Sequence, residues 1–528
     1  MGGYSEDCHL RTPETEPRWA AKVTFLLWLA RLVLPVLLVA GLLADRSFDT
    51  SGGPTENAAL VETQVRVPSK QSLTSTWYCP TAHSRKVADS GVDATAELLV
   101  TNTTAEPTRA SIYLLSPTSP GQLVHVQVPG LSTRSLKVAN HTDDELVSAL
   151  VEAPTSGVVV SRHLRSGLGS DIATCSSIVA NEWYIISADT QADAIDRLVI
   201  YNPLPTDAVV DLRFATEAEV GAYVSPELVG LVVPAASAIS VGIGEHVRRR
   251  DIVATTVQAR LGRVVVDHLQ TFDGSSGRLG FSAHLATAAN STLWYHPVIQ
   301  LEEDRRVSVA VANPTEVVAA VDVTVVTGEG KKESIAISVG PYDVTRVDVV
   351  SNSEEAASAG TLFTTPGFFG IIVESSGAVP VVSGIEVASG PDGSPGRESP
   401  EDDLLSVDDE GRRSDPPAGR VSGLSITSGL PNGSNRWLLT VPELAGEVTV
   451  GIQNGAAATA TVTIFRYGQR NRYELRMGAH ASRQIRVAAG TTIEIKADAP
   501  IAVAAVRQER NGAGLNSVLG VKFSEENR

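Results

Sequence analysis

Four tryptophans, Trp77, Trp183, Trp294 and Trp437, each open a segment that runs into a strand-like stretch ending in asparagine, at Asn102, Asn202, Asn313 and Asn454. The starts read Trp77-Tyr78-Cys79-Pro80, Trp183-Tyr184-Ile185-Ile186, Trp294-Tyr295-His296-Pro297 and Trp437-Leu438-Leu439-Thr440. The later half of each segment recurs too. A small-residue turn leads into an alternating strand (Val128-Pro129-Gly130, Val233-Pro234-Ala235, Gly340-Pro341, Gly478-Ala479), and an apolar run follows at 157–160, 263–266, 379–382 and 501–504. Repetition on this scale means one supersecondary unit built four times, so the fold of one unit decides the fold of most of the chain.

Within each unit apolar and polar residues alternate with period two, as in Val321, Val323 and Val325. That pattern buries one face of a strand and wets the other, which suits antiparallel sheets. Turn residues punctuate the strands, and Asn202-Pro203 and Asn313-Pro314 are turn initiators. Only two Met, against abundant Val, Thr and Gly, favour strands over helical bundles. The expected fold is all-β: tandem immunoglobulin-like antiparallel β-sandwiches preceded by one N-terminal transmembrane helix. The expected divisions are a tail at 1–22, an anchor at 23–44, a stalk at 45–70, sandwiches at 71–165, 166–273 and 274–388, a linker at 389–422, and a fourth sandwich at 423–523. A Trp at each unit start either fills a core or interdomain volume or forms a platform for sugar rings. Recurrence at a fixed place is what packing requires.

Residues 23–44 are mostly apolar and long enough to cross a bilayer, with Arg31 and Pro35 inside the run. Arg11, Arg18 and Lys22 before the run place the N-terminus in the cytoplasm and the bulk of the chain outside it, as a single-pass protein of the cell membrane. Arg31 costs about 2.5–3.5 kcal/mol at a helix centre, so it either snorkels or pairs with an acidic residue of a partner helix. The competing reading takes 32–44 as the core of a cleaved signal peptide, although Leu42 sits poorly at −3 of a site after Ala44. Under both readings Cys79 and Cys175 are exported and are expected to form a disulfide, whereas Cys8 is a cytoplasmic thiol.

The stretch 389–422 is rich in Pro, Gly, Ser and acid, with Glu401-Asp402-Asp403 and Asp408-Asp409-Glu410. It lacks the spacing of a calcium loop and reads as a disordered linker from which the last sandwich hangs as a separately mobile domain. A formal net charge of −17 argues against nucleic acid as a partner.

The Trp-Tyr starts, Cys79, Cys175 ahead of Trp183-Tyr184, and the Asn-Pro elements together resemble an actinobacterial envelope family catalogued as domain of unknown function 5719. The first unit departs with Asn102-Thr103, and the fourth lacks both the Tyr and the Pro. The resemblance implies export, anchoring and no catalytic activity, and genes placed near an envelope glycosyltransferase, which points toward cell-wall glycan assembly.

No nucleophile elbow, zinc-binding helix, Cys-x-x-Cys or dinucleotide fingerprint is present, and no cofactor is expected. His163 and His268, with Glu386 nearby in the third unit, read as residues that finish a strand at the surface. Arg248-Arg249-Arg250 reads as a solvated loop, and the sequons at Asn102, Asn140, Asn290 and Asn432 as unmodified. The expected function is a non-enzymatic, membrane-anchored extracytoplasmic scaffold of the cell envelope that binds a protein or cell-wall glycan, its tandem domains reaching on the order of 100 Å or more from the membrane. The alternative is an accessory subunit of a membrane glycosyltransferase.

Overall fold

A computed structural model describes residues 64–69, 72–83, 94–275, 278–302, 305–328, 330–351, 360–389, 423–441, 447–469, 472–508 and 515–524. The chain divides into a unit Met1–Glu62 and a unit Thr63–Arg528, and every described residue belongs to the second. The expected tail, the anchor with Arg31, most of the stalk, and the acidic segment from 390 to 422 lie outside the described residues. Among the described residues no helix is long and apolar enough to cross a membrane.

The described chain is all-β, and its modules follow one plan. In the first, one sheet runs Ser75–Cys79, Ser148–Ala153, Thr108–Leu115, Gln122–Val128, and the facing sheet runs Ser132–Lys137, Ala94–Asn102, Val158–Ser166, Gly169–Thr174. The second and third modules repeat that order. The Trp strands Glu182–Ala188 and Leu293–Leu301 pair with Val253–Leu261 and Gly367–Ser375, and the facing sheets end in Leu279–Leu285 and Gly423–Ser428. In the fourth, the two strands that would lie in separate sheets are continuous as Thr492–Gln508, which pairs with the Trp strand Ser434–Thr440 at one end and with Leu515–Leu519 at the other.

The Trp side chains hold the two sheets of each module together. All four are at most 1% exposed; in the first three modules each indole Nε1 donates across the core to the opposite sheet, and in the fourth to the continuous strand Thr492–Gln508. The acceptors are the carbonyls of Val158 (2.7 Å), Val264, Val381 and Ile501 (each 2.8 Å). A buried indole brings a large apolar area, and its one donor must be satisfied there. The asparagines staple the turns. Asn313 Nδ2 donates to the carbonyls of Val317, Val339 and Gly340 while Oδ1 accepts the amide of Thr315. Asn102, Asn202 and Asn454 repeat the contact with the residue four places on and with the later turn. One amide thereby ties two turns that are far apart in sequence.

Three divisions differ from the sequence expectation in the same direction. Gly169–Thr174, Leu279–Leu285 and Gly423–Ser428 close the sheets of the modules before them, not the modules after. Each lies just ahead of the next Trp strand, so an alternating pattern alone assigns it to the wrong neighbour. The strands on either side of the acidic stretch in sequence, Val382–Ser389 and Gly423–Ser428, pair with each other in the third module. The end of the expected stalk is also structured. Arg66–Val67 pairs in parallel with Lys522–Phe523 at the edge of the fourth module.

The modules do not extend away from one another as separate beads. Trp points into its own core, so the next residue on the strand points out of the sheet. That outward residue enters the following module. Tyr184 lies in the apolar cluster of the third module, and Tyr295 in that of the fourth. Leu438, the fourth module's counterpart, joins the cluster of the first two. Ile172 of the first module in turn lies in the cluster of the fourth, so the series closes on itself. Glycines admit the approach: a Cβ at Gly451 would meet the Val298 Cβ at 2.3 Å, and one at Gly455 would meet the Tyr295 hydroxyl at 2.0 Å. The expected reach of tandem domains and the expected mobile fourth domain are both corrected by this closure. The connectors at 175–181, 286–292 and 429–433 are short, which keeps each Trp strand close to the module before it.

Candidate functional site

The last strands of the four modules, 169–174, 279–285, 423–428 and 515–519, come together where the series closes. Each is the edge of its sheet, and its unpaired amides need acceptors once water is excluded. Strand register makes Asp171, Ser282, Ser425 and Asn516 equivalent, since they oppose Leu164, Gln270, Val387 and Arg507 of the preceding strands. These side chains reach the next module's edge. The Ala283 amide and Ser282 Oγ both donate to Asp171 Oδ2 at 2.8 Å, and the Ile426 amide donates to Ser282 Oγ at 3.0 Å. Ser425 and Asn516 occupy the other two positions, buried, with Ser425 Oγ and both Asn516 amide atoms lacking a hydrogen-bond partner among the described residues. Burial raises the Asp171 carboxyl to about 7, against the pull of the Ala283 amide, the Ser282 hydroxyl, the Ile172 amide and the Arg162 charge.

Beside this layer lies a cavity of about 120 Å³ with walls from all four modules. Its lining residues include Leu430, Leu519, Ala288 and His284 with the polar residues Thr287, Thr427, Ser517 and Lys522. At its rim Lys522 Nζ donates to Gln64 Oε1 at 2.6 Å and to the Pro431 carbonyl at 2.7 Å.

Behind the cavity wall sits a set of buried ionisable groups. Arg162 of the first module pairs with Asp267 of the second, both fully buried, and the Thr81 amide donates to the same Asp267 oxygen at 2.9 Å. Burial pushes the Asp267 carboxyl up, and Arg162 pulls it back. His83 is held down at about 4 by burial and then by the Arg162 charge. His268 Nε2 lies 2.7 Å from Asp196 Oδ2, with both side chains fully buried, and its ring meets His284 edge-on at 4.8 Å. Burial drives His284 well below the ordinary range, helped by the charges of His268 and Arg162. Within the second module, Arg278 pairs with Asp189 at 2.6 Å and Asp193 at 2.8 Å and lies over the Phe272 ring.

Arg162–Asp267 joins the first two modules, whereas the pairs of His268 and Arg278 lie within the second. A His–Asp pair with no exposed surface cannot touch a substrate, and among the described residues no group of three or more His, Cys, Asp or Glu is placed to hold a metal.

The positions singled out from sequence sort as follows. Cys79 and Cys175 form a disulfide with Cα atoms 4.8 Å apart. It joins the end of the first strand of module one to the residue after that module's last strand, so it closes the first module on itself. The four Trp and four Asn are the core and turn residues described above. His163 and His268, expected at strand ends on the surface, are buried at 1% and 0% exposure. They are also not equivalent: the Trp contacts align Val158 with Val264, which matches His268 to Arg162 and leaves His163 one residue further on. Neighbouring strand residues face opposite ways, so the two histidines serve different interfaces. Arg248 and Arg249 are exposed. Sequence reasoning missed Arg162, Asp171, Asp267 and His284. Their one signal is a charged or titratable residue inside an apolar strand run, as in Val158-Val159-Val160-Ser161-Arg162.

The profile of a family of unknown function (DUF5719) matches residues 153–402. That span runs from the end of the first module into the acidic segment. No curated protein matches the chain. Among solved structures, Thermotoga maritima 1070 aligns at 14% identity over 19% of this chain and 91% of its own, with a TM-score of 0.17. A tetra-tandem repeat from the extending region of a large adhesion protein aligns at 12% identity over 85% and 99%, with a TM-score of 0.09. The α-L-rhamnosidase of Streptomyces avermitilis aligns at 9% identity over 78% and 55%, with a TM-score of 0.11.

Proposed function

We propose that this protein is a non-enzymatic extracytoplasmic scaffold of an actinobacterial type of cell envelope, tethered by a single N-terminal span. Its four immunoglobulin-like sandwiches act as one body that holds a protein or cell-wall glycan partner. One observation carries the reading: Tyr184 and Tyr295 enter the core of the following module, and Leu438 enters that of the first two. A chain that invests its signature residues in fixing modules against one another is suited to presenting surfaces at set positions. The Cys79–Cys175 disulfide fits an oxidising compartment, and the residues at 23–44 fit a membrane anchor.

Fractionation and crosslinking test this together. A photo-crosslinking residue at Leu261, which is 61% exposed on the second module, is introduced in the full-length chain. The expected result is recovery in the membrane fraction, cleavage by protease added outside spheroplasts, and a crosslink to an envelope protein or wall glycan. Capture of a membrane glycosyltransferase assigns the accessory-subunit role. A chain recovered in the cytosol, or one that hydrolyses wall glycan, overturns the proposal.

A further inference from the structure

The outer face of the fourth module's Trp sheet carries a charge pattern that the other three modules lack. We infer that this face, with Arg436, Lys496, Arg472 and Arg476 as its cations and Tyr473 at its edge, docks a linear cell-wall glycan bearing anionic groups. That assignment rests on the scaffold reading and narrows its partner to one chemical class.

The repeat supplies its own comparison, because opposed residues of paired strands share a face. One row of the outer face reads Thr76, Glu152, Ser111 in the first module, Glu182, Gln258, Asp211 in the second and Leu293, Glu374, Asp322 in the third. In the fourth it reads Arg436, Lys496, Thr463. A row that is acidic in three modules is basic in the last. On the edge strand Arg472–Met477, Arg476 stands where the other modules have Gln127, Val232 and Ser338. Arg472 stands where the first and third have Leu123 and Ser334. The Trp and Asn recur in every module because the fold needs them. These cations do not recur, so the sandwich forms without them.

Arg472, Arg476 and Lys496 are exposed, Arg436 is half-buried, and Tyr473 is 56% exposed. Arg472 and Lys496 lie over the Phe465 ring at 5.3 and 4.8 Å, which holds both cations at the surface. The acids of the face are Glu474, Glu494 and Asp498. Glu494 is taken by Arg436 at 2.7 Å and Lys496 at 3.1 Å; burial raises its carboxyl, but the two cations outweigh burial and hold it low. Asp498 accepts the Thr461 amide at 2.7 Å. At 3.3–3.4 Å per residue, Arg472 and Arg476 are about 13 Å apart along their strand. One small anion cannot bridge that distance, whereas successive charged units of a polymer can. Guanidinium forks suit carboxylate and phosphate, and an exposed Tyr offers a sugar both an apolar ring and a hydroxyl. Among the described residues of the fourth module Tyr473 is the one large hydrophobic side chain exposed, so the face lacks the apolar residues that seat a protein on a bilayer. A chain of net charge −17 repels anions elsewhere, which steers an anionic partner to this face.

Calorimetric titration of the full-length chain, purified in nonionic detergent, reads the binding. Polygalacturonate is the probe, with neutral pullulan, polyglutamate and phosphatidylglycerol in mixed micelles as comparators. Polygalacturonate is expected to bind saturably and more tightly than any comparator, and to weaken about tenfold or more between about 50 and 500 mM salt. Arg472→Ser with Arg476→Ser is expected to weaken it about tenfold or more. Lys496→Gln, which installs the residue of the second module, should weaken it about threefold and reads the same face if the double variant fails to fold. Arg248→Ser with Arg249→Ser removes the same charge from an exposed loop of the second module and should change binding by less than about twofold. Polygalacturonate that does not saturate, a comparator that binds as tightly, binding unchanged in a folded Arg472 and Arg476 variant, or an equal loss in the Arg248 and Arg249 variant each overturn the proposal. Such a failure with the chain in the membrane fraction overturns the glycan face alone, whereas binding by a chain recovered in the cytosol overturns the scaffold reading alone.

Discussion

Replacing Asp267 by Leu tests whether the first two modules are joined by a buried charge pair or only by apolar contact. Arg162 and Asp267 are both fully buried, and the same carboxylate oxygen accepts the Thr81 amide at 2.9 Å. Thr81 is itself fully buried, so water cannot replace that acceptor. Asp267→Leu therefore leaves an uncompensated guanidinium and an orphaned amide. Breaking a buried pair from one side costs about 3–5 kcal/mol. Arg162→Met leaves the carboxylate unpaired but keeps the Thr81 bond, and should cost about 3–4 kcal/mol by the same reasoning. The double variant removes both charges together, so only the Thr81 amide remains unsatisfied, at about 1–3 kcal/mol. The expected coupling in the double-mutant cycle is about 3 kcal/mol or more. Urea unfolding of the oxidised full-length chain at pH 7, followed by tryptophan fluorescence, supplies the four stabilities. A cycle that closes additively, or a loss below about 1 kcal/mol for Asp267→Leu, refutes the pairing as a joint between modules.

Three further outcomes are expected. Replacing Cys79 and Cys175 by Ser opens a bridge with a sequence separation of 96 and should lower stability by about 4–5 kcal/mol in urea unfolding, the chain-entropy value for a loop of this size. Asn313→Ala leaves the carbonyls of Val317, Val339 and Gly340 and the Thr315 amide without their shared partner, and should cost about 2–4 kcal/mol in the same assay. His296 is buried against Ser383 Oγ at 2.9 Å, and burial holds it down at about 3, below its ordinary 6.5. The unfolded chain then binds the proton more readily than the folded one, so this stability is complete above pH 6.5 and is lost as pH falls toward 3. The slope approaches about 1.4 kcal/mol per pH unit. His296→Gln should remove its share of that slope between pH 4 and 6, read from unfolding midpoints across pH.

Much of the module was legible from residues alone. Period-two alternation sets which strand face is buried, and the turn residues set where each strand stops. The four Trp and four Asn marked positions that every copy needs, because the inter-sheet indole bond and the two-turn amide staple are internal to one module. Cys79 and Cys175 could be paired because only two cysteines lie beyond the apolar run. The shared edges were less legible. Gly169–Thr174 and Leu279–Leu285 have the right pattern for a strand, and nothing in that pattern says which sheet they complete.

The sequence by itself determined that this chain is β throughout and built four times from one unit, because hydrophobic period and turn chemistry act over neighbouring residues. Only the tertiary structure decided that the units close on themselves. That outcome rests on Tyr184, Tyr295 and Leu438 crossing into modules other than their own, and on Arg162 finding Asp267 more than a hundred residues away. A lone arginine or histidine in an apolar strand carries no mark of its partner. Its pairing follows from which surfaces lose water together, and in one dimension that information is absent.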